Sequence, residues 1–248
     1  PQFVQVMQKL KAAGVTPVAV GSRSGWPAAA WFDYLNLRMN GLAFHRRLIA
    51  GQASFRDARA VKVFEVWGQM LDSGNFLPEG VDLEWDEVLP YVYHGRVGMV
   101  LCGAFCAAKI PPQLLADMDI FPFPVFDERA PRFEEAPLDV LVRPARSRNT
   151  LAARRFIAFM AREESSRALL KASFQLPVFK GAEPPAEPLL YRGQAWLKQA
   201  AGISFHFDRD ASAPIRDAGL LAFRAFQRPP HDWRAAIEDL HEAASHAR

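Results

Sequence analysis

The sequence predicts an α/β protein. Three observations carry this: short apolar strand-like runs lie between helices in the first half, the second half is almost entirely helical, and half of the residues are hydrophobic. At 248 residues, the chain is long enough to bury a substantial core.

The elements follow from periodicity and punctuation. Phe3, Met7 and Leu10 recur at helical spacing, and Gly14 ends that helix. TPVAV (16–20) is a short buried strand. Trp26-Pro27 opens a second helix, with Pro in the permissive first turn, running to Gly41; a short helix from Phe44 to Gly51 follows. Ser54 and Asp57 resemble a capping box ahead of a helix with the stripe Val61, Phe64, Trp67, Met70 and Leu71.

Trp85 to Tyr93 reads as a helix, VGMVL (97–101) as a strand and DIFPFPVF as an extended segment with prolines suited to an edge. LDVLVRP (138–144) alternates like a strand. Helices are predicted over 150–161, 163–172, 187–201, 213–227 and 231–246, separated by QLPVFKGAEPP, HFDRDASAP and QRPPHD. Four strands are few for sheets that average ~5–6. The sequence implies that sheet partners are missing.

Composition excludes several classes. The net charge of +3 and pI near 9.0 come from basic residues scattered along the chain and balanced by nearby acids, without the basic face of a nucleic-acid protein. No apolar run approaches the ~20 residues of a membrane span, and the residues carry no export signal. No phosphate-binding glycine loop, nucleophile elbow or zinc motif occurs, so no catalytic residue, cofactor or metal is assigned. The six histidines are dispersed. Cys102 and Cys106 flank Gly103 in an apolar segment and read as buried free thiols.

The notable feature is aromatic density. Trp26, Trp31, Phe32 and Tyr34 cluster next to Asp33. Aromatic faces beside convergent polar groups suit a sugar pocket, because rings stack on the C–H faces of sugars. Trp31, Phe32 and Leu35 equally suit the helix's core stripe. Asp208-Arg209-Asp210 reads as a helix cap with a local ion pair, and Asp139 as either a turn residue or a site residue.

Extended segments then bring a resemblance. KLKAAGVTPVAVGSRSGWPAAAWFDYLNLRMNG, HGRVGMVLCGAF, EEAPLDVLVRPARSRNTLAARRFIAFM, FQLPVFKG and the tail AGISFHFDRDASAPIRDAGLLAFRAF resemble, in order, the extracellular solute-binding proteins of carbohydrate ABC transporters. The tail is similar to a trehalose- and oligosaccharide-type subgroup. The resemblance implies a two-lobed periplasmic-binding-protein type II fold that closes on a sugar, performs no catalysis and docks on a membrane permease. It implies an incomplete first lobe lacking its amino-terminal segment. Residues 1–136 would form most of the second lobe, 137–185 would return to the first, and 186–248 would be a helical tail crossing between them.

The location implied is periplasmic or extracellular, with a possible lipid anchor. The ligand contacts implied are Trp26, Trp31, Asp33, Phe105, Asp139 and Arg209, with Phe105 standing where the family often has Trp. The implied ligand is a disaccharide or short oligosaccharide. Without neighbouring strands LDVLVRP would present an open edge, leaving the chain alone poorly packed. Two other readings stay open: a carbohydrate-active enzyme using Asp33 and Asp139 as acid and base, and a non-binding interaction module.

Overall fold

The computed structural model describes residues 2–178 and 186–246. In chain order the elements are α1 (Gln2–Ala12), β1 (Thr16–Ala19), α2 (Trp26–Ile49), α3 (Ala58–Asp72), α4 (Leu89–Tyr93), β2 (Val97–Val100) and β3 (Phe133–Glu135). They continue as α5 (Thr150–Met160), α6 (Glu163–Ser173), α7 (Pro188–Lys198), β4 (Gly202–Ser204), α8 (Phe207–Asp210), α9 (Ala213–Phe226) and α10 (Trp233–His246). Among the described residues no helix is long and apolar enough to cross a membrane.

The chain divides into two compact units: Pro1–Cys102, Phe121–Pro137 and Gln199–Arg248 form the first, Gly103–Ile120 and Leu138–Lys198 the second. In the first unit β1 and β2 pair in parallel, Thr16 opposite Val97 and Val18 opposite Met99. Val18 also bridges to Phe76, exchanging backbone hydrogen bonds with Asn75 and Leu77. A second parallel pair, β3 with β4, aligns Phe133 with Gly202 and Glu135 with Ser204.

Around these pairs lies an aromatic core. Phe32 stacks on Phe223 at 4.7 Å between ring centroids, and Trp67 meets Phe226 edge-on at 5.0 Å. Phe207 fits against α9 because residue 219 is glycine; a β-carbon there would lie 2.4 Å from the Phe207 ring. These rings come from α2, α3, α8 and α9, and burying each one stabilises the unit by about 2–3 kcal/mol.

Helix α2 carries a corner. The chain runs as helix on both sides of Gly41, whose φ of 76° and ψ of 170° break the hydrogen-bond ladder. The separate helices expected before and after Gly41 are therefore the two arms of one bent element. Helix α3 begins later than the Ser54 box suggests. Asp57 is its cap, accepting from the Arg59 N–H at 2.9 Å, while the Ser54 hydroxyl accepts from the Arg56 N–H at 3.1 Å. Helix α4 spans only the last five residues of the expected Trp85–Tyr93 helix. Pro90 has no N–H to give and clashes with a preceding turn, so the helix starts around it.

Two expected strands are absent among the described residues. DIFPFPVF forms no ladder, because Pro122 and Pro124 cannot donate. LDVLVRP is also unpaired: Leu138, Val140, Leu141 and Val142 are 52–76% exposed. Alternation needs a partner to become a strand, and none of the described strands pairs with it. The strands that do form there, β3 and β4, are three residues each and carried no visible alternation.

The second unit holds α5, α6, α7 and two 3₁₀ helices, Ala104–Lys109 and Pro112–Asp117. Helices α6 and α7 pack against the first 3₁₀ helix, and Arg192 pairs with Asp119 at 3.2 Å. Its buried apolar residues among those described are Cys106, Ala107 and Leu190. Neither cysteine is a free thiol, contrary to expectation: Cys102 and Cys106 are both disulfide-bonded. The FQLPVFKG turn passes outside the described residues after Val178.

Candidate functional site

The site grows from the start of α2. Gly25 precedes it at φ 86°, where a β-carbon would be both strained and within 2.8 Å of the Leu220 carbonyl oxygen. Glycine therefore fits at the residue before Trp26, where a side chain would not. The half-buried Trp26 ring lies 6.4 Å from Trp85, tilted by 56°, and 6.3 Å from the His206 imidazole. Seven residues on, nearly two full turns, Asp33 falls on the same face as Trp26.

Asp33 is fully buried, and its Oδ2 accepts from the Phe207 N–H at 2.8 Å, tying α2 to the start of α8. Its Oδ1 lies 3.7 Å from His45 Nε2. Glu135 ends β3 and meets His206, just past β4: Oε2 to Nδ1 is 2.8 Å. The Glu135 N–H donates to the Tyr34 hydroxyl at 3.3 Å, and Tyr34 stacks on Phe123 at 5.0 Å.

Arg38 fastens the neighbouring segment. It donates to the carbonyls of Phe123, at 3.2 Å, and of Phe133, and to Glu134 Oε1 at 2.8 Å. Arg132 reaches the same Glu134 oxygen at 3.1 Å.

Burial sets the electrostatics. It pushes the Asp33 carboxyl well above the ordinary carboxylate range, with the adjacent Glu135 adding to the effect. Burial also raises Glu135 to about 8; Asp208 and Glu134 push the same way, while hydrogen bonding to Asp33 opposes it. Two carboxyls side by side cannot both ionise cheaply, so the proton-bearing form is favoured at neutral pH. Burial lowers His45 to about 4 and lowers His206, keeping both imidazoles neutral. The Tyr34 hydroxyl is held well above its usual range by burial and then by Glu135.

The residues expected at a site divide. Trp26 and Asp33 come together, joined by Trp85, Glu135 and His206. Trp31 does not belong with them. It is 2% exposed, set edge-on to Phe76 at 5.1 Å and to Phe123 at 5.3 Å. Five residues from Trp26 puts it on another face of α2, and its ring is covered as a core ring is. Asp33 is equally out of reach of solvent, so it positions neighbours and is poorly placed as an acid or base.

Arg209 lies exposed on α8. Asp208 and Asp210 fall inside that one-turn helix rather than capping α9, whose cap position is Ser212. In the second unit Phe105 is half-buried in its 3₁₀ helix with its ring over Gly103, where a β-carbon would sit 2.6 Å away. Asp139 is exposed in the unpaired 138–144 segment.

Sequence reasoning missed Trp85, Glu135 and His206. His206 directly precedes the DRD triplet and Glu135 precedes Ala-Pro, but nothing local links them. Nor did spacing suggest that Asp33, Glu135 and His206 form one polar cluster, each with a side-chain oxygen or nitrogen within 4.8 Å of the others.

With this geometry in hand, the known proteins that the chain resembles take on meaning. An uncharacterized ABC transporter extracellular-binding protein of Pyrococcus horikoshii is 30% identical over 190 residues, which is 74% of this chain and 40% of that protein. The solute receptor AcbH, described as having an exclusive preference for β-D-galactopyranose, superposes with a TM-score of 0.88 at 24% identity, over 98% of this chain and 62% of AcbH. A chitin oligosaccharide binding protein gives 0.82 at 20% identity, over 99% and 63%. A sugar transporter protein of Bacillus licheniformis in complex with stachyose gives 0.73 at 14%, over 99% and 65%.

The chain therefore spans under two thirds of the length of these proteins, and it shares the α/β fold of the binding proteins. Residues 1–166 match the family described as bacterial extracellular solute-binding protein, which assigns the chain to the extracellular or periplasmic side and to a family of binders; it is a member of that family.

Proposed function

We propose that the chain is part of a sugar receptor of an ABC importer, binding a neutral disaccharide or short oligosaccharide and passing it, unreacted, to a membrane permease. The observation that carries this reading is the half-buried Trp26–Trp85 pair beside His206. Two tilted indoles at 6.4 Å offer apolar faces of the size of a sugar ring, and the neighbouring imidazole offers a hydrogen-bonding edge.

The family membership supports a binding role, and the galactopyranose, chitin-oligosaccharide and stachyose relatives support a carbohydrate as ligand. The bonded cysteines fit an oxidising compartment. We retain Phe105, Asp139 and Arg209 as proposed contacts on the strength of the resemblance, with residues 1–136 and 137–185 as contributions to two lobes. Trp31 is withdrawn from the contact set, and Asp33 acts by holding α8.

Titration against a panel of neutral sugars, read by tryptophan fluorescence and calorimetry, tests the reading. Saturable binding should appear, and Trp26→Ala should weaken it by more than ~1 kcal/mol with little change in melting temperature. Tight binding of an amino acid or peptide, with no response to any sugar, would overturn it.

A further inference from the structure

We propose that Asp33, Glu135 and His206 form a proton relay that makes His206 a switchable ligand contact beside Trp26: its Nε2 donates a hydrogen bond at neutral pH and only accepts one at alkaline pH. The ligand-facing part rests on the sugar reading; the relay itself does not.

Packed elements supply the three side chains: α2 gives Asp33, the end of β3 gives Glu135, and the turn between β4 and α8 gives His206. The Phe207 N–H holds Asp33 through Oδ2 at 2.8 Å. The Asp33 and Glu135 carboxyls hydrogen-bond each other. Asp33 Oδ1 and Glu135 Oε1 are fully buried with no N–H or hydroxyl donor among the described residues, and a proton on Asp33 satisfies both. Glu135 Oε2 then meets His206 Nδ1 at 2.8 Å, and the imidazole lies 6.3 Å from the Trp26 ring. Across the ring, Nε2 makes no hydrogen bond among the described residues and is not sealed from solvent.

The contact between Glu135 and His206 holds one proton. While Glu135 carries it, Nδ1 accepts and the neutral imidazole keeps its own hydrogen on Nε2. Once Glu135 is ionised, the proton belongs to Nδ1 and Nε2 is bare. The Glu135 side chain is 1% exposed and that of His206 21%. The buried acid therefore titrates through the ring: Nε2 gives its proton to water as the Glu135 proton crosses to Nδ1. One proton leaves, and the negative charge stays on Glu135.

The surroundings set where this happens. Burial raises Glu135 to about 8; the Asp33 hydrogen bond and Arg38 oppose it, while Asp208 and Glu134 add to it. The bond between the carboxyls lowers Glu135 and raises Asp33, so Asp33 is the donor and Glu135 ionises first. Burial lowers His206 with help from Arg209, against Asp33 and Asp208. Glu134 pairs with Arg38 at 2.8 Å and Arg132 at 3.1 Å, Arg216 pairs with Asp217 on α9 at 2.8 Å, and Arg46 donates to the Ile203 carbonyl at 3.0 Å. Tyr34 and His45 stay uncharged. A ligand laid on Trp26 and His206 dries the cluster further, which disfavours its charged form. Affinity is therefore full below about 8 and falls as pH rises through that value.

The test uses the whole chain labelled with nitrogen-15. Imidazole nitrogens with and without hydrogen resonate far apart, so long-range proton–nitrogen spectra at pH 7.0 and 9.5 report each tautomer, with His206→Gln assigning the signals. His206 should hold its hydrogen on Nε2 at pH 7.0 and on Nδ1 at pH 9.5. In Glu135→Gln, whose amide N–H donates to Nδ1 at either pH, the Nε2 hydrogen should persist. One tautomer at both values in the unsubstituted chain would overturn the proposal, as would an exchange that survives in Glu135→Gln. If that variant fails to fold, the unsubstituted spectra decide. Titration with the tightest-binding neutral sugar adds the ligand arm: binding should weaken roughly threefold or more between the two values and stay flat in Glu135→Gln. Flat affinity in the unsubstituted chain would overturn the ligand contact. No binding of any sugar at pH 7.0 would sink the sugar reading instead, and the sugar-free spectra still decide the relay.

Discussion

The first unit encloses Phe32, Phe55, Phe64, Trp67, Phe207 and Phe223 completely, whereas in the second α5 and α6 bury no residue at all. Both regions are apolar by sequence. Phe156, Phe159, Leu151 and Leu169 are as hydrophobic as the rings of the first unit, yet they stand 49–64% exposed. The difference teaches that helical pattern and core are separate properties. A helix needs only its own backbone hydrogen bonds and a permissive sequence, while a core needs a second apolar surface to meet the first.

The comparison can be broken most directly by hydrogen exchange. Amides of α2, α3 and α9 should exchange only with global unfolding, and those of α5 and α6 by local opening, at rates faster by roughly a hundredfold or more. Equal protection in both units would show that the exposed apolar residues of the second unit are covered in solution, and the contrast would fall.

Substitutions sharpen it. Phe223→Ala removes a ring that meets Phe32, Phe64, Trp67 and Phe207, and should cost about 3–5 kcal/mol in chemical denaturation. Phe156→Ala, the same chemical change on a residue 55% exposed, should stay within about 0.5 kcal/mol. Similar losses at both positions would mean that exposure does not measure packing here.

An effect well below that of Phe223→Ala belongs to the cap of α3. Side-chain and then backbone hydrogen bonds from Arg59 hold the Asp57 carboxyl down at about 2, against an ordinary 3.8. A depressed folded-state value means the unfolded chain binds the proton more readily, so the stabilisation is present above about 3.8 and is lost as pH falls through about 2. Asp57→Ala should therefore cost about 1 kcal/mol near neutral pH, with the gap from the parent chain closing below pH 3. A gap that is independent of pH would assign the cost to packing rather than to the charged cap.

Local chemistry wrote much of the fold into the sequence. Pro27 and the glycines at 14 and 51 punctuate helices by their own backbone preferences, so those ends were readable, whereas Gly41 bends a helix that the sequence divides in two and the cap of α3 is Asp57 rather than Ser54. LDVLVRP was misread because its alternation specifies two faces without specifying a partner. Strands β3 and β4 escaped because pairing, rather than composition, makes them strands. The site divides along the same line. Trp26 and Asp33 share a helix face and were legible together. Glu135 and His206 are 71 residues apart, and Asp33 is 174 from the N–H that it accepts. Periodicity has no reach over such distances.

The corner at Gly41 bears on the order in which these parts assemble. On a straight helix Asn36 and His45 would stand some 13–14 Å apart along the axis. Here Asn36 Nδ2 and His45 Nδ1 are 3.0 Å apart, because the chain doubles back between them. Closing that nine-residue interval sacrifices about 2–3 kcal/mol less chain entropy than closing the 174 residues from Asp33 to Phe207. The bent arm of α2 is thus the part of the polar cluster that the nascent chain can shape first. The distant strands then arrive at a surface already formed, and Gly41, which carries no functional group, acts as the template's hinge pin.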